Sequence, residues 1–166
     1  MRRRDWVGAL IGALLFGCAT ADSSDVDRAR DLEVMAVLDR YMEALNALDL
    51  EAHVATYHFP HYRHASGEIA VWQDANEAMP IFAVPELERR RALRQALAPD
   101  WDRSLWVERR IVQANARKVH VATRFVRLRR DGSVIRSFDS LYVLTLEPDV
   151  DGRMSWGIKG RSSFAP

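Results

Sequence analysis

Apolar and polar positions alternate with a period of two along most of the last third of the chain, from about Trp101 to Phe164. Between Lys118 and Leu128, Val119, Val121, Thr123 and Phe125 share one side, which predicts a strand. Asp131-Gly132 follows, a two-residue hairpin turn, and Val134 to Leu146 reads as the returning strand. Asp149 to Gly152 turns the chain again into Met154 to Phe164. Trp101 to Gln113 is the first long strand of this meander, with Ala114 to Ala116 its turn. One face of such a meander needs an apolar cover, and only the segments before it are available.

Those segments have a different period. Val34, Val37, Leu38, Tyr41, Met42, Leu45 and Leu48 recur at spacings of three and four, which predicts a helix over Leu32 to Leu48. Asp49 caps a shorter helix carrying Leu50, Val54 and Tyr57, expected to end near His58 because Pro60 cannot sit inside it. Phe59 to His64 reads as a short edge strand, turned at Ser66-Gly67 into Glu68 to Trp72. Asp74 to Phe82 is a weak helix or loop. Pro85 opens a third helix, Glu86 to Leu97, with acids in its first turn and Arg94 in its last, and Pro99 stops it. The sum is an α+β domain: helices first, then a curved antiparallel sheet packed on three N-terminal helices, with a single pocket between the layers.

The N-terminus stands apart. Met1 to Arg4 is basic, and Trp6 to Gly17 is an apolar run of 12 residues, the length of a signal-peptide core rather than a membrane span. Leu15-Phe16-Gly17-Cys18 resembles a bacterial lipobox in which Cys18 takes the lipid, although Phe16 departs from the usual small residue. Ala19-Thr20-Ala21 offers a competing cleavage site before Asp22. Residues 1–21 are therefore expected to be a signal peptide, 22–31 a polar tether and 32–166 the folded domain. The protein is expected to be exported, either as a cell-envelope lipoprotein or as a soluble periplasmic protein, meeting the membrane only through that lipid.

Composition narrows the chemistry. The chain has 166 residues and a net charge of +1, and loss of residues 1–17, with three arginines and one aspartate, brings it to about −1. A near-neutral domain is not expected to bind nucleic acid. Cys18 is the only cysteine, so a disulfide within the domain, a thiol metal site and a cysteine nucleophile are all excluded. No phosphate-cradling glycine loop, G-x-S-x-G elbow or H-E-x-x-H pair occurs, and no cofactor is expected.

Strand register yields one constellation. Pairing Arg130 with Ser133 across the Asp131-Gly132 turn sets Arg124 opposite Asp139. One alignment of the next turn brings Arg161 to the other flank of Asp139, with Lys159 on the same face. The opposite face, with Val119, Val121, Phe125, Phe138, Tyr142, Leu144, Trp156 and Ile158, is more apolar and should meet the helices. Asp139 is then a structural ion-pair partner on the outer sheet, a functional acid or a dimer contact. His58, His61 and His64 do not converge on a strand, so no metal site is expected. His61 shares a side with Phe59, and is either a candidate acid–base or a hydrogen-bonded histidine at the core margin. Tyr41, Tyr57 and Trp72 are expected to line the cavity, as a wall for a flat ligand or as core.

Three segments, Phe59-Pro60-His61-Tyr62-Arg63, Phe138-Asp139-Ser140-Leu141-Tyr142 and Trp156-Gly157-Ile158 through Arg161-Ser162-Ser163-Phe164, together with the element order, resemble the superfamily of nuclear transport factor two, ketosteroid isomerase, scytalone dehydratase and SnoaL-like cyclases. The likeness spans about Leu32 to Pro166 and is to the uncharacterised bacterial SnoaL-like members. It implies a cone-shaped fold and often a homodimer. The named enzymes' catalytic motifs do not map onto this chain, so no activity is carried over. Three functions follow as expectations: a module binding a small apolar molecule or a partner in its pocket; a cofactor-free lyase or isomerase with His61 or Asp139 as base and Tyr41 or Tyr57 as donor; or a dimerising domain.

Overall fold

The computed structural model describes residues 23–65, 67–79, 85–149 and 151–164. Residues 1–21, expected as a signal peptide and including Cys18, lie outside the described residues, as do Ser66 and the stretch around Phe82. Among the described residues, four helices, α1 (Ser23–Ala47), α2 (Leu50–Val54), α3 (Ala75–Ala78) and α4 (Glu86–Leu97), accompany six strands. These are β1 (Tyr57–Ala65), β2 (Glu68–Trp72), β3 (Arg103–Ala114), β4 (Lys118–Leu128), β5 (Val134–Pro148) and β6 (Met154–Phe164).

Helix α1 buries the stripe that its spacing predicts, Val34, Val37, Leu38, Tyr41, Met42 and Leu45. Ser23 to Asp31, within the stretch expected as a tether, belong to this helix, and Ser23 to Ala29 are exposed. It ends where Leu48 turns left-handed at φ 56°, with Leu48 N–H donating to the Leu45 carbonyl and Asp49 N–H to that of Ala44. A leucine there is strained relative to glycine, but its side chain is only 6% exposed, and that burial offsets the strain. The Asp49 carboxylate then caps α2 by accepting from Ala52 N–H at 2.9 Å.

Helix α2 stops at Val54 rather than near His58, and Tyr57 already belongs to β1. The sheet order is β2-β1-β6-β5-β4-β3, so β1 is an interior strand and β2 the edge. Strand β1 runs parallel to β6 and every other pairing is antiparallel, which makes the sheet mixed. Pro60 is tolerated in β1 because the pairing with β6 breaks between Tyr57 and Tyr62, where no ladder N–H is needed. On the outer face, glycine at 160 lets the Tyr62 ring lie across β6, since a Cβ there would overlap the ring.

Arg124 and Asp139 are register partners joined at 2.8 and 3.3 Å, and both side chains are more than half exposed on the outer face. Val119, Val121, Phe125, Phe138, Tyr142, Leu144, Trp156 and Ile158 are buried against the helices. Arg161 departs from its expected place. It pairs with Tyr142, not beside Asp139, because the β5–β6 register shifts between Val143 and Leu144. That bulge inverts the faces of β6 beyond Ile158 and carries Arg161 inward.

Asn46 ties α1 to β3 at the open edge of the sheet. Its Oδ1 accepts from Ser104 N–H at 2.7 Å and its Nδ2 donates to the Ser104 carbonyl at 3.0 Å, at a residue with no exposed surface. Asn46→Ala leaves both backbone groups without partners and should destabilise the fold by about 3 kcal/mol in urea denaturation. A loss below about 1 kcal/mol shows that the clamp is dispensable.

Candidate functional site

A cavity of about 310 Å³ lies between the helices and the inner face of the sheet. Each element contributes through a position already set by its packing. The inward stripe of α1 supplies Tyr41, Met42 and Leu45, α2 supplies His53, β1 supplies Tyr57 and Arg63, and β2 supplies Trp72. Helix α4 adds Leu93 and Leu97, β4 adds Phe125 and Arg127, and the inverted end of β6 adds Arg161.

Aromatic rings build one wall. Tyr57 stacks on His61 with centroids 4.1 Å apart, and His61 stacks on Trp72 at 5.5 Å. Tyr41 lies 4.2 Å from the His53 ring and meets Tyr142 edge-on at 5.6 Å. The three residues expected to line the cavity, Tyr41, Tyr57 and Trp72, therefore do so together. His61 lies within that wall, 2% exposed, and is not among the described lining residues. Asp139 is not brought to the cavity at all.

Hydrogen bonds fix the tautomers. His61 Nδ1 sits 2.9 Å from the Ile158 carbonyl, which only an N–H can satisfy, so Nε2 carries the lone pair. His53 Nδ1 donates to the Tyr41 carbonyl at 3.1 Å, and its Nε2 accepts from the Tyr57 hydroxyl at 3.2 Å. Burial lowers the His53 pKa to about 4, assisted by Arg161 and by His61. Burial likewise lowers His61 to about 4, with Arg161, Lys159 and Arg63 adding to it. Both imidazoles are neutral at pH 7. Burial also raises the Tyr57 and Tyr142 phenols, which stay protonated.

The polar side of the cavity is cationic. Arg161 Nη1 donates to the Tyr41 hydroxyl at 2.5 Å and, at 3.4 Å, to that of Tyr142. Burial would lower its pKa, but the oxygens of Tyr41, Tyr142 and Tyr57 around it raise the pKa above the ordinary value, so it remains charged. Arg127 donates to the Leu97 carbonyl at 2.7 Å and lies over the Phe138 ring. No described lining residue is acidic. The chain's pattern hides His53 because α2 spans five residues, too few to show a period. It hides Arg63 because an interior β1 reads as an edge. The signal that could have found Arg161 is the pair of strand glycines, Gly157 and Gly160, that mark a bulge.

Among the described residues, no three His, Cys, Asp or Glu side chains are grouped to hold a metal ion, and no helix is long and apolar enough to cross a membrane.

A family model described as NTF2-like protein (DUF6841) matches residues 31–150. The fold is similar to a cystatin-like-fold protein of unknown function from Nostoc punctiforme, with 16% identity, TM-score 0.58, and coverage of 82% of this chain and 90% of that one. It is similar to a ketosteroid isomerase-like protein from Erwinia carotovora atroseptica, with 18% identity, TM-score 0.52, and coverage of 81% and 96%. It is also similar to a Catenulispora acidiphila protein solved in complex with S-DNPA, with 21% identity, TM-score 0.56, and coverage of 82% and 93%. No curated protein matches the chain.

The two buried histidines set an acid limit on stability. Their folded pKa values, about 4, lie below the unfolded value of 6.5, so the unfolded chain binds more protons between those limits. Their contribution is complete above pH 6.5 and falls away as pH drops towards 4. Urea denaturation should show a loss of roughly 2 kcal/mol per histidine between pH 7.5 and pH 5, where carboxylates still carry charge. A flat profile over that range contradicts the neutral, buried state of both rings.

Proposed function

The chain belongs to the NTF2-like family DUF6841, and on that footing we propose that its pocket binds a small flat molecule with an apolar body. One observation carries this reading: a cavity of about 310 Å³ walled by Tyr41, Tyr57 and Trp72, with no carboxylate among its described lining residues. The aromatic faces suit a planar ligand, and Met42, Leu45, Leu93 and Phe125 suit its apolar body. A structural relative solved in complex with S-DNPA supports a binding reading.

A second reading, a cofactor-free lyase or isomerase, is favoured by the Tyr57–His53 hydrogen bond, a phenol backed by an imidazole in the cavity wall. Proton abstraction also needs a base matched to the working pH. With both imidazoles near pKa 4, the base this reading needs is weak, whereas binding alone needs none.

The basic and apolar segments of residues 1–21 support export, with Cys18 as the point of lipid attachment and the cell envelope as the place of action.

The fluorescent probe N-phenyl-1-naphthylamine should bind the purified protein, and Trp72→Ala should weaken it about tenfold, since a stacked aromatic face is worth about 1 kcal/mol or more. Asp139→Asn should leave it unchanged. Binding that ignores Trp72→Ala removes the pocket as the site. For the location, Cys18→Ala should move the protein from the membrane to the soluble fraction, and unaltered fractionation refutes lipid attachment.

A further inference from the structure

We infer that the ligand is a planar carboxylic acid, its carboxylate gripped by Arg161 and Arg63 with Arg127 beside them and its body laid against the aromatic wall. The inference rests on the binding reading above and adds the charge and the chemical class of what is bound.

The arrangement of the three arginines is the first ground. Arg63 and Arg161 are direct register partners on adjacent strands β1 and β6, and both line the cavity. Like charges placed opposite one another in a sheet repel. The repulsion is visible in the charged groups themselves: burial lowers the Arg63 pKa and Arg161 lowers it further, and Arg127 is lowered by burial and by Arg161, Arg136 and Arg63. A carboxylate among the lining residues would relieve this, and none is present among the sixteen described.

A contrast within the same chain is the second ground. Several arginines away from the cavity have acids as partners: Arg109 with Asp39 at 2.5 Å, Arg124 with Asp139 at 2.8 Å, Arg103 with Asp102 at 2.8 Å, and Arg129 with Asp100. Inside it, Arg161 reaches two hydroxyls and the Tyr142 ring and Arg127 a carbonyl and an aromatic face, while Arg63 has no hydrogen-bond or ion-pair partner among the described residues.

Open donors are the third. The protein bonds of Arg161 use Nη1 alone, which leaves Nη2 and Nε without protein partners among the described residues. Arg127 Nε is the one buried side-chain nitrogen or oxygen there that has no partner. A guanidinium presents its N–H groups as a planar fork that matches the two oxygens of a carboxylate. Tyr41 and Tyr142 hold Arg161 from one nitrogen and so fix the fork in place before the ligand arrives. The rest of the lining is apolar or aromatic, which calls for a flat apolar body on the acid rather than a small free anion.

The test compares two probes of the same shape, naphthalene-2-acetate and its uncharged amide, naphthalene-2-acetamide, by titration calorimetry on the purified protein. The acetate should bind at least about tenfold more tightly, and its advantage should shrink as salt is raised. Arg63→Met, at a residue with no hydrogen-bond or ion-pair partner among the described residues to lose, should weaken the acetate about tenfold and leave the amide within about twofold. Arg161→Met should erase the preference, and Arg161→Lys should restore part of it by keeping the charge without the fork. Equal affinity for the two probes, or an Arg63→Met variant that weakens both alike, overturns the anion assignment while the pocket stands. Failure of both probes to bind overturns the pocket reading and the assignment together.

Discussion

A guanidinium is held under α1 by two phenols and no carboxylate, and the properties of the cavity follow from it. A cation withdrawn from water is costly unless its donors are satisfied. Arg161 is satisfied on one nitrogen by Tyr41 and Tyr142, and its charge is felt by each titratable group around it. It acts with burial to keep His53 and His61 neutral, and it opposes Arg63 across the β1–β6 pairing. Tyr41 is the shared hinge of this arrangement. Its hydroxyl receives Arg161 and its carbonyl receives His53, so one residue of α1 sets both the position of the cation and the tautomer of the imidazole.

What makes this possible is a single irregularity in β6. Up to Ile158 the strand alternates as its pattern says, with Trp156 and Ile158 in the core. At the bulge Lys159 bonds Glu147 and the Phe59 carbonyl, and past it Arg161 turns into the cavity. A period-two reading carries through a regular strand and fails by one full face at a bulge. That is why Arg161 falls on the opposite face from the one a regular alternation gives it, while Arg124–Asp139 meets its expected pairing only because two departures cancel: the turn sets Arg129, not Arg130, against Ser133, and a register shift between Arg127 and Leu128 restores the count. The bounds of β2, β4, β6 and α4 were legible because proline, glycine or a hairpin turn punctuates them. The start of α1 was not, because Ser23 to Ala29 bury nothing and so leave no periodic trace. The interior place of β1 was hidden too: Pro60 marks an edge strand in sequence, and only the broken pairing with β6 explains how it sits between two neighbours.

The aromatic residues were the legible half of the site. Tyr41 lies on a helical stripe and Trp72 ends the short hairpin, so their inward side follows from local periods; Tyr57, expected on the inward side of the short helix, faces inward instead from the start of β1. The cationic half depends on strands far apart in sequence, β1 with β6, meeting in parallel. Nothing local specifies that register, and with it the meeting of Arg63 and Arg161.

The two halves bear on binding against catalysis. A proton-transfer site keeps its base near the working pH, usually by setting burial against a charge of the opposite sign. Here burial and charge act in the same direction. Each imidazole is desolvated and also faces arginine, so both influences hold it unprotonated, and the one hydrogen bond that would raise each pKa goes to a backbone carbonyl that cannot offset them. The phenols of Tyr57 and Tyr142, raised by burial, keep their protons beside a permanent cation and are not acids that release one. The cavity is thus held in one electrostatic state, which favours the proposed binding over proton transfer.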